Sequence, residues 1–452
     1  MIESGERDVN LELLRNRSTH RTAARILRAV SAPRCDLGRT NRALSILLVV
    51  ISLTACNGDG QSLGQSQSPS RSAQSDTGTT TESLTTLTTS PPVPLEAHLL
   101  WSRTGVGMSN CCNASSGDIV LADGGQVYVA DGFGGEDDQT PAVSVFNAES
   151  GELIWQRTDL TGGSVDDVFL QAIAGSRLIV NGQYQSVTAV DSENGSTLWS
   201  FSLPENYGAV RSSVRGEVLI LSAEAPREGD VRPPIVYALD LEDGTVIWET
   251  SLAEGTDLQW HRPPIARGLV FVSSTLSHPG SATGNKVHAL DIATGDVRWE
   301  IDLGGSQGFS FYPALVSGDL LILYSPEGAT IPVDLSTGTE AWLQPGIFPL
   351  AIGLDGSIYA GGDGVVVLSH EDGQPTPLVR PANLGLAIEL GVVQDNLLVM
   401  NGRLGAIGFD LATEELAWRL GTPDVVAPPA ITSDIIAMPI GDPRGIAVFE
   451  VP

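Results

Sequence analysis

Apolar and polar residues alternate in short runs along most of the chain, and these runs recur as similar pairs. The clearest pair is VYALDLEDGTVIWE at 236–249, which returns as VHALDIATGDVRWE at 287–300. Alternation with a period of two predicts a β-strand with one buried face. The Asp and Gly between the two runs predict a tight hairpin turn, in which Gly244 takes a positive φ. Each copy is therefore a predicted β-hairpin that ends on a tryptophan, whose large ring can cover the next copy.

The hairpin recurs at a nearly constant spacing. Its copies end at Trp155, Trp199, Trp248, Trp299, Trp342, Pro377 (a worn copy without its tryptophan) and Trp418. The first five of these tryptophans are 43–51 residues apart, and a second hairpin centred on Gly, such as PPIARGLVFVSS (263–274), lies between copies. Four strands in a period of about 45 residues are typical of a β-propeller blade.

The number of copies predicts an all-β, eight-bladed propeller of four-stranded antiparallel blades. Seven copies give seven blades, and three further predicted strands in AITSDIIAMPIGD and GIAVFEVP lack a fourth. We expect the fourth strand to come from LLWSRTG around Trp101, so that the N-terminal strand joins the C-terminal blade and closes the ring. Closure removes the free sheet edges that promote aggregation.

The beginning of the chain has the pattern of an export signal. In RTNRALSILLVVISLTAC (39–56), two arginines precede an apolar stretch that is too short to span a bilayer. The final LTAC resembles the lipobox of bacterial lipoproteins. We therefore predict an extended signal peptide at 1–55, a lipid on Cys56, and a disordered tether rich in Ser and Thr at 56–97. The propeller would then occupy 98–452.

Charge and composition exclude some functions. The chain has 25 Lys plus Arg against 54 Asp plus Glu, a formal net charge of −29. Nucleic acids bind proteins through clustered basic residues, so a nucleic-acid partner is not expected. The six histidines have no metal-ligand spacing, and no Ser-His-Asp order or phosphate loop is present. The sequence therefore predicts neither a catalytic residue nor a metal site.

The repeat also resembles a known family. Ala238, Asp240, Gly244 and Trp248 match the pattern of the PQQ-like (quinoprotein) propeller repeat. The resemblance implies that the tryptophan of each copy docks between neighbouring blades, at Trp101, Trp155, Trp199, Trp248, Trp299, Trp342 and Trp418. A lipid-anchored eight-bladed ring of this size also resembles the BamB family of barrel-assembly lipoproteins. That resemblance implies a monomeric, cell-envelope scaffold that binds another envelope protein and needs no cofactor.

The variable connections between strands predict where binding takes place. The short Gly turns share one face of the ring, and the longer loops share the other, where function usually resides. Residues at the channel mouth on that face are expected to bind a partner, because aromatic and Arg side chains dominate interfaces. They are Trp260, His261, Arg262, Phe311, Tyr312, Arg211 and Phe169. The same rings could instead only plug the channel.

Two alternatives to the scaffold stay open. With Cys56 lipidated and Cys35 in the signal peptide, Cys111 and Cys112 can pair only with each other in an oxidising compartment. PQQ-dependent alcohol dehydrogenases, which share the repeat, place a disulfide between adjacent cysteines against PQQ, with Ca²⁺ nearby. A disulfide that only stiffens a turn is the preferred interpretation here. The other alternative is an envelope sensor that binds a ligand at Trp260–Arg262. The membrane could be an outer membrane or a plasma membrane.

Overall fold

The structure, a computed structural model, consists of β-strands joined by turns. It describes the following residues: 95–96, 98–104, 120–131, 141–160, 168–182, 186–205, 207–224, 232–253, 256–258, 262–276, 285–304, 314–325, 327–362, 364–379, 388–394, 396–402, 405–413, 415–420, 429–441 and 444–451. All of them belong to one compact unit, Pro91–Pro452. The predicted signal peptide and Cys56 lie outside the described residues. Within the described residues, no helix has the length and apolar character needed to cross a membrane.

The first strands and the first four blades follow the predicted repeats. The strands are β1 (Leu95–Glu96) and β2 (Leu99–Thr104); in blade 1, β3 (Val120–Asp123), β4 (Gln126–Asp131), β5 (Ala142–Asn147) and β6 (Leu153–Arg157); in blade 2, β7 (Val168–Ala174), β8 (Arg177–Gly182), β9 (Ser186–Asp191) and β10 (Thr197–Ser202); in blade 3, β11 (Gly208–Arg215), β12 (Val218–Glu224), β13 (Ile235–Asp240) and β14 (Val246–Ser251); and in blade 4, β15 (Thr256–Leu258), β16 (Ile265–Ala266), β17 (Leu269–Leu276), β18 (Asn285–Asp291) and β19 (Val297–Gly304).

The remaining four blades continue the pattern. Their strands are, in blade 5, β20 (Leu315–Ser317), β21 (Leu320–Tyr324), β22 (Ala329–Asp334) and β23 (Gln344–Pro345); in blade 6, β24 (Phe348–Ile352), β25 (Ile358–Gly362), β26 (Gly364–Leu368) and β27 (Pro375–Val379); in blade 7, β28 (Ile388–Gln394), β29 (Leu397–Gly402), β30 (Gly405–Asp410) and β31 (Glu415–Leu420); and in blade 8, β32 (Ala430–Ile431), β33 (Ile435–Gly441) and β34 (Arg444–Glu450).

The eighth blade is completed by a strand from the other end of the described chain. β2 pairs antiparallel with β34, so blade 8 has the order β2-β34-β33-β32. The prediction of an eight-bladed propeller closed by the N-terminal strand is therefore confirmed. One pairing was not predicted: β1, in the last residues of the segment expected to be a tether, pairs parallel with β31 of blade 7.

Eight hydrophobic clusters hold the ring, one at each junction between neighbouring blades. A middle strand therefore contributes to two clusters. In β13, Val236 and Ala238 pack towards blade 4, whereas Tyr237 and Leu239 pack towards blade 2. The expectation that alternation marks a strand with a single buried face is wrong for these strands, because each blade is covered on both sides.

Six tryptophan rings lie on the turn of the next blade. Each indole Nε1–H donates to a backbone carbonyl in that turn at 2.8–2.9 Å: Trp101 to Ala148, Trp155 to Ser192, Trp199 to Leu241, Trp248 to Ile292, Trp299 to Leu335 and Trp342 to His370. The ring also covers the turn glycine, where an added Cβ would come within 2.4–2.8 Å of the indole. We call this tryptophan–glycine contact the clamp.

The seventh tryptophan packs differently. Trp418 is only 1% exposed and lies among residues of blades 7 and 8, such as Met438 and Phe449. Its Nε1 has no hydrogen-bond partner in the described part of the chain. In blade 8 the third and fourth strands are β34 and β2, which come from opposite ends of the described chain, so no hairpin turn joins them.

Candidate functional site

The first strand of each blade lines the centre of the ring. First strands of neighbouring blades, such as β7 and β11 or β24 and β28, lie in contact with each other. We call them the inner strands. Three of the seven predicted binding residues lie on or beside inner strands of consecutive blades: Phe169 on β7, Arg211 on β11 and Arg262 just before β16. The other four, Trp260, His261, Phe311 and Tyr312, lie outside the described residues, as do Cys111 and Cys112.

The inner strand of blade 4 is interrupted at the predicted site. Both of its parts pair with β17, with Leu258 opposite Ser274 and Ile265 opposite Val270. Between these two pairs the chain has six residues, 259–264, whereas β17 has only three, 271–273. The six include Trp260, His261 and Arg262, which the sequence predicts to be at the channel mouth. Interruptions of pairing re-aim side chains and are frequent at functional sites.

Four other inner strands carry a smaller version of the same interruption. The register with the second strand shifts by one residue in blades 2, 3, 6 and 7, between Leu170 and Ala172, Ala209 and Arg211, Pro349 and Ala351, and Ile388 and Leu390. The sequence did not predict these β-bulges: an extra residue shifts the phase of the side-chain alternation, but a blade that packs on both faces buries apolar residues in either phase. The bulges lie on the strands that face the channel.

A buried polar contact joins the inner strands of blades 2 and 3. The Gln171 side chain, 1% exposed, accepts a hydrogen bond from the backbone N–H of Ser212 at 2.9 Å. Gln171 is the extra residue of the blade 2 bulge. Because a buried amide without partners is costly, this contact fixes the position of β11 against β7. Arg211, the neighbour of Ser212, is 9% exposed, and Phe169 on β7 is 2% exposed. These side chains form a rigid lining; their binding role stays a prediction.

A second polar group, which the sequence analysis did not single out, lies in blade 4. Nε2 of His288 is 2.9 Å from Oγ of Ser274, and Nδ1 is 3.0 Å from a Glu300 carboxylate oxygen. Lys286 also donates to Glu300. We call Ser274, Lys286, His288 and Glu300 the blade 4 polar cluster. The hairpin repeat could have revealed part of it, because His288 and Glu300 are directly opposite each other in the register that places Ala289 opposite Trp299.

Ser274, His288 and Glu300 are linked in the order serine, histidine, carboxylate, as in a catalytic triad. Their burial rules out a catalytic role. Ser274 is 1% exposed and His288 is 3% exposed, so a substrate has no access to the hydroxyl. Burial lowers the pKa of His288, and the Lys286 ammonium holds the pKa of Glu300 below its usual range. Blades 1 and 2 have polar pairs at the equivalent position, Ser144 with Gln156 and Thr188 with Ser200. The cluster is a satisfied structural network.

The described residues do not fit a quinone with its calcium ion. Calcium takes about six to eight oxygen ligands, among which carboxylates are joined by amide and backbone carbonyls and waters. In the described part of the chain, no three His, Cys, Asp or Glu side chains are grouped closely enough to hold a metal ion. The inner strands instead present Arg211 and the amide of Gln171, so we derive no step through such a cofactor.

Comparison with known proteins places this fold and repeat in a family. The family model described as outer membrane protein assembly factor BamB matches residues 58–225 and 233–420. The BamB of Yersinia pestis is 24% identical over 232 residues, which are 47% of this chain and 53% of that protein. The chain thus spans about half the length of the curated relative that it matches.

The similarity to solved structures concerns the fold alone, because the sequence identities are low. BamB from Moraxella catarrhalis superimposes with a TM-score of 0.52 and 14% identity, covering 78% of this chain and 100% of that one. The quinohemoprotein alcohol dehydrogenase of Comamonas testosteroni superimposes with a TM-score of 0.56 and 12% sequence identity, covering 78% of this chain and 76% of that one. Because the family model matches well over half of the chain, the chain belongs to the PQQ-like repeat family described as outer membrane protein assembly factor BamB.

Proposed function

We propose that this propeller is a cell-envelope scaffold that binds a component of outer membrane protein assembly. The observation that carries the proposal is the family match, which extends through both halves of the ring. The relative from Yersinia pestis is itself named an outer membrane protein assembly factor. A closed ring with a hydrophobic cluster at every junction offers a folded platform on which a partner can bind.

The proposed binding surface is the channel mouth around the interrupted inner strand of blade 4. Trp260, His261 and Arg262 lie in the sequence between the two parts of that strand, β15 and β16, and Arg211 lies on the inner strand of the neighbouring blade. Phe311 and Tyr312 complete the proposed surface, whereas Phe169, which is 2% exposed, lies on the inner strand of blade 2 and would support this surface from the interior. Aromatic rings and guanidinium groups give the largest binding energies in interfaces, because they bury much area at a small entropic cost.

Photo-crosslinking tests this surface directly. A photoreactive phenylalanine at position 262 is expected to crosslink to an outer membrane assembly component in native membranes, identified by mass spectrometry. The matched control is position 354: Leu354 is 78% exposed and lies in the turn after β24, on the opposite face. Capture of the same partner from both positions would refute the proposed face. Capture of an electron-transfer cytochrome at 262 would refute the scaffold in favour of a dehydrogenase.

The lipid anchor has a test of its own. We propose that Cys56 carries the lipid that holds the protein at the periplasmic side of the outer membrane. Cys56→Ser is expected to abolish labelling by radioactive palmitate and to move the protein from the membrane fraction to the soluble fraction. Cys35→Ser is the control and is expected to change neither. Labelling that survives Cys56→Ser would contradict the anchor without affecting the scaffold proposal.

A further inference from the structure

The eight junctions between blades are not closed in the same way. Junctions are named here by the two blades that meet, so that 3|4 lies between blades 3 and 4. Six of them carry the clamp: 8|1, 1|2, 2|3, 3|4, 4|5 and 5|6. At these junctions an indole on the last strand of one blade, or just before it in blade 5, covers a glycine in the turn of the next. Every one of those glycines has a positive φ, between 68° and 76°.

Junction 6|7 has lost both halves of the clamp together. Pro377 occupies the tryptophan position of blade 6 and pairs with Val366. In the turn of blade 7, DLATEELAW stands where blade 5 has DLSTGTEAW, so Glu414 replaces the glycine. Blades 1, 2, 3, 4, 7 and 8 place a bulge immediately before the tryptophan, whereas blade 6 has its bulge after Pro377. A proline ring has no N–H to donate, so the contact cannot be replaced in kind.

Junction 7|8 also lacks the clamp, but the chain itself crosses it. β1 pairs with β31 on blade 7, and β2, only two residues later, is the outer strand of blade 8. Between them, the carbonyl of His98 accepts a hydrogen bond from the backbone N–H of Glu450 at 2.9 Å. Trp418 fills the interior of this junction. A covalent strap thus takes the place of the clamp.

Junction 6|7 therefore has neither a clamp nor a strap in the described structure. It is not open, because the inner strands β24 and β28 are in contact and a cluster including Leu350, Tyr359, Met400 and Phe409 fills the space between the blades. Leu378 and Leu416, on the outer strands, pack against this cluster while remaining partly exposed. The junction is thus packed at the centre of the ring and lacks the directional contact at its outer side.

We infer that 6|7 is the seam of the propeller, where the outer side opens locally while β24 and β28 act as the hinge. The meeting point of β2 and β34 is the obvious place for a ring to open, since two distant parts of the chain join there. Here that blade is held by the clamp of Trp101 and by two hydrogen bonds from Arg103 to the carbonyl of Gly151 at 2.7 and 3.1 Å. The inference does not depend on the proposed function.

Hydrogen–deuterium exchange of the full chain tests the seam. Outer strand β27 is compared with outer strand β14, and third strand β30 with third strand β18, so that each pair has the same place in its blade. Local opening exposes the amides that lie beside it. We expect amides in β27 and β30 to exchange about 10-fold faster, or more, than those in β14 and β18. Equal protection in both pairs, or fastest exchange in β2 and β34, would overturn the seam.

Restoring the clamp tests whether its loss is the cause of the local opening at junction 6|7. The double variant Pro377→Trp with Glu414→Gly is expected to slow exchange in β27 and β30 towards that of β14 and β18. Pro377→Trp alone is the matched control, because a Cβ at the turn position comes within 2.4–2.8 Å of the indole at clamped junctions. A folded double variant that exchanges like the single one would contradict the assignment. Should the double variant not fold, the wild-type comparison still decides whether the seam exists.

Discussion

Blades 3 and 4 contain nearly the same hairpin, and comparing them separates what builds a blade from what tunes it. In both, the Asp that ends the third strand accepts backbone N–H groups of its own turn, Asp240 from Glu242 and Asp291 from Ala293 and Thr294. In both, the tryptophan donates to the following blade. The shared residues are those that close the turn and cover the neighbouring blade, and the second contact recurs at six of the eight junctions.

The two hairpins differ at the residue before the alanine. Tyr237 lies opposite Glu249 in blade 3, and His288 lies opposite Glu300 in blade 4. Burial raises the pKa of Tyr237 to about 12, so this side chain stays neutral at any physiological pH. Burial lowers the pKa of His288, which therefore stays neutral until the solution becomes acidic. We therefore expect mild acid to change the charge at this position in blade 4 but not in blade 3.

The largest expected effect is the loss of the ring that the two hairpins share. Trp248→Ala should lower the free energy of unfolding by about 3–5 kcal/mol, because it removes a buried indole. Trp299→Ala should cost less, since Trp299 is half-buried whereas Trp248 is 8% exposed. Trp248→Phe keeps an aromatic ring but loses the hydrogen bond and part of the packing, so its cost should lie between about 1 kcal/mol and that of Trp248→Ala. Denaturant midpoints of the three variants measure the order, and an unchanged midpoint for Trp248→Ala would refute the clamp.

Next in size is the glycine under that ring. Gly295 and Gly268 both lie in blade 4 with φ of 76° and 77°, but only Gly295 has other atoms where a Cβ would be: the Trp248 ring and the Thr250 hydroxyl oxygen, each at 2.6 Å. Gly268→Ala should cost the backbone strain alone, about 1–2 kcal/mol. Gly295→Ala should cost about 1–3 kcal/mol more, because the indole and the Thr250 hydroxyl must both move. Thermal denaturation of both variants gives the difference, and equal losses would mean that the ring does not press on the turn.

The acid response of blade 4 is the third test. Because the pKa of His288 is lowered in the folded state, the unfolded chain binds more protons, and stability is lost as the pH falls below about 6.5. The slope cannot exceed about 1.4 kcal/mol per pH unit for one group. His288→Tyr, which copies blade 3, should remove this loss. Melting temperatures between pH 7.5 and 5 measure it, and an unchanged slope in the variant would assign the effect elsewhere.

His288 and Glu300 affect the free energy of unfolding in different ranges of pH. Lys286 and Glu300 are the charged groups that face it. The pKa of Glu300 is lowered by the Lys286 hydrogen bond, so its contribution is present above about pH 4.5 and is lost only as the pH falls further. The fall between pH 6.5 and 5 therefore belongs to the histidine. Glu300→Gln should deepen this fall, because it removes the carboxylate that favours the charged imidazole.

The smallest expected effect comes from a surface difference between the same hairpins. Arg298 in blade 4 binds Asp291 at 2.7 Å, where blade 3 has Ile247. Arg298 is 55% exposed, and water screens such pairs. Arg298→Ala should leave the melting temperature unchanged within about 1 °C. A clearly larger decrease would mean that this pair contributes to the blade and that the turn is not held by the Asp291 backbone contacts alone.

Much of the architecture was predictable, because each hairpin has its own apolar alternation and its own turn residues. The repeat spacing and the turn residues gave eight blades and the closing strand β2, and both are confirmed. The bulge that precedes the tryptophan was not predicted: Ile247 is an extra residue opposite the pair Ala238–Leu239. A bulge turns the following side chain without altering composition, so a single sequence gives little sign of it.

The candidate site was predictable in part. Phe169, Arg211 and Arg262 were chosen from the sequence, and the structure has them on or beside the inner strands of three consecutive blades. The interruption of the blade 4 inner strand was not predicted, because it depends on which residues of β17 pair with β15 and β16. The contact between Gln171 and Ser212 joins residues that are 41 positions apart, and no local pattern indicates it.

By itself, the sequence determined the number of blades, the hairpin turns and the residues of the clamp. These depend on turn chemistry and on a period that repeats within about 45 residues, so each copy specifies them locally. Only the tertiary structure decided that β1 straps blade 7, that His288 meets Ser274 and Glu300, and that 6|7 alone has neither clamp nor strap among the described residues. These contacts depend on the register between strands and on which blades become neighbours, and both are fixed only when the whole ring closes.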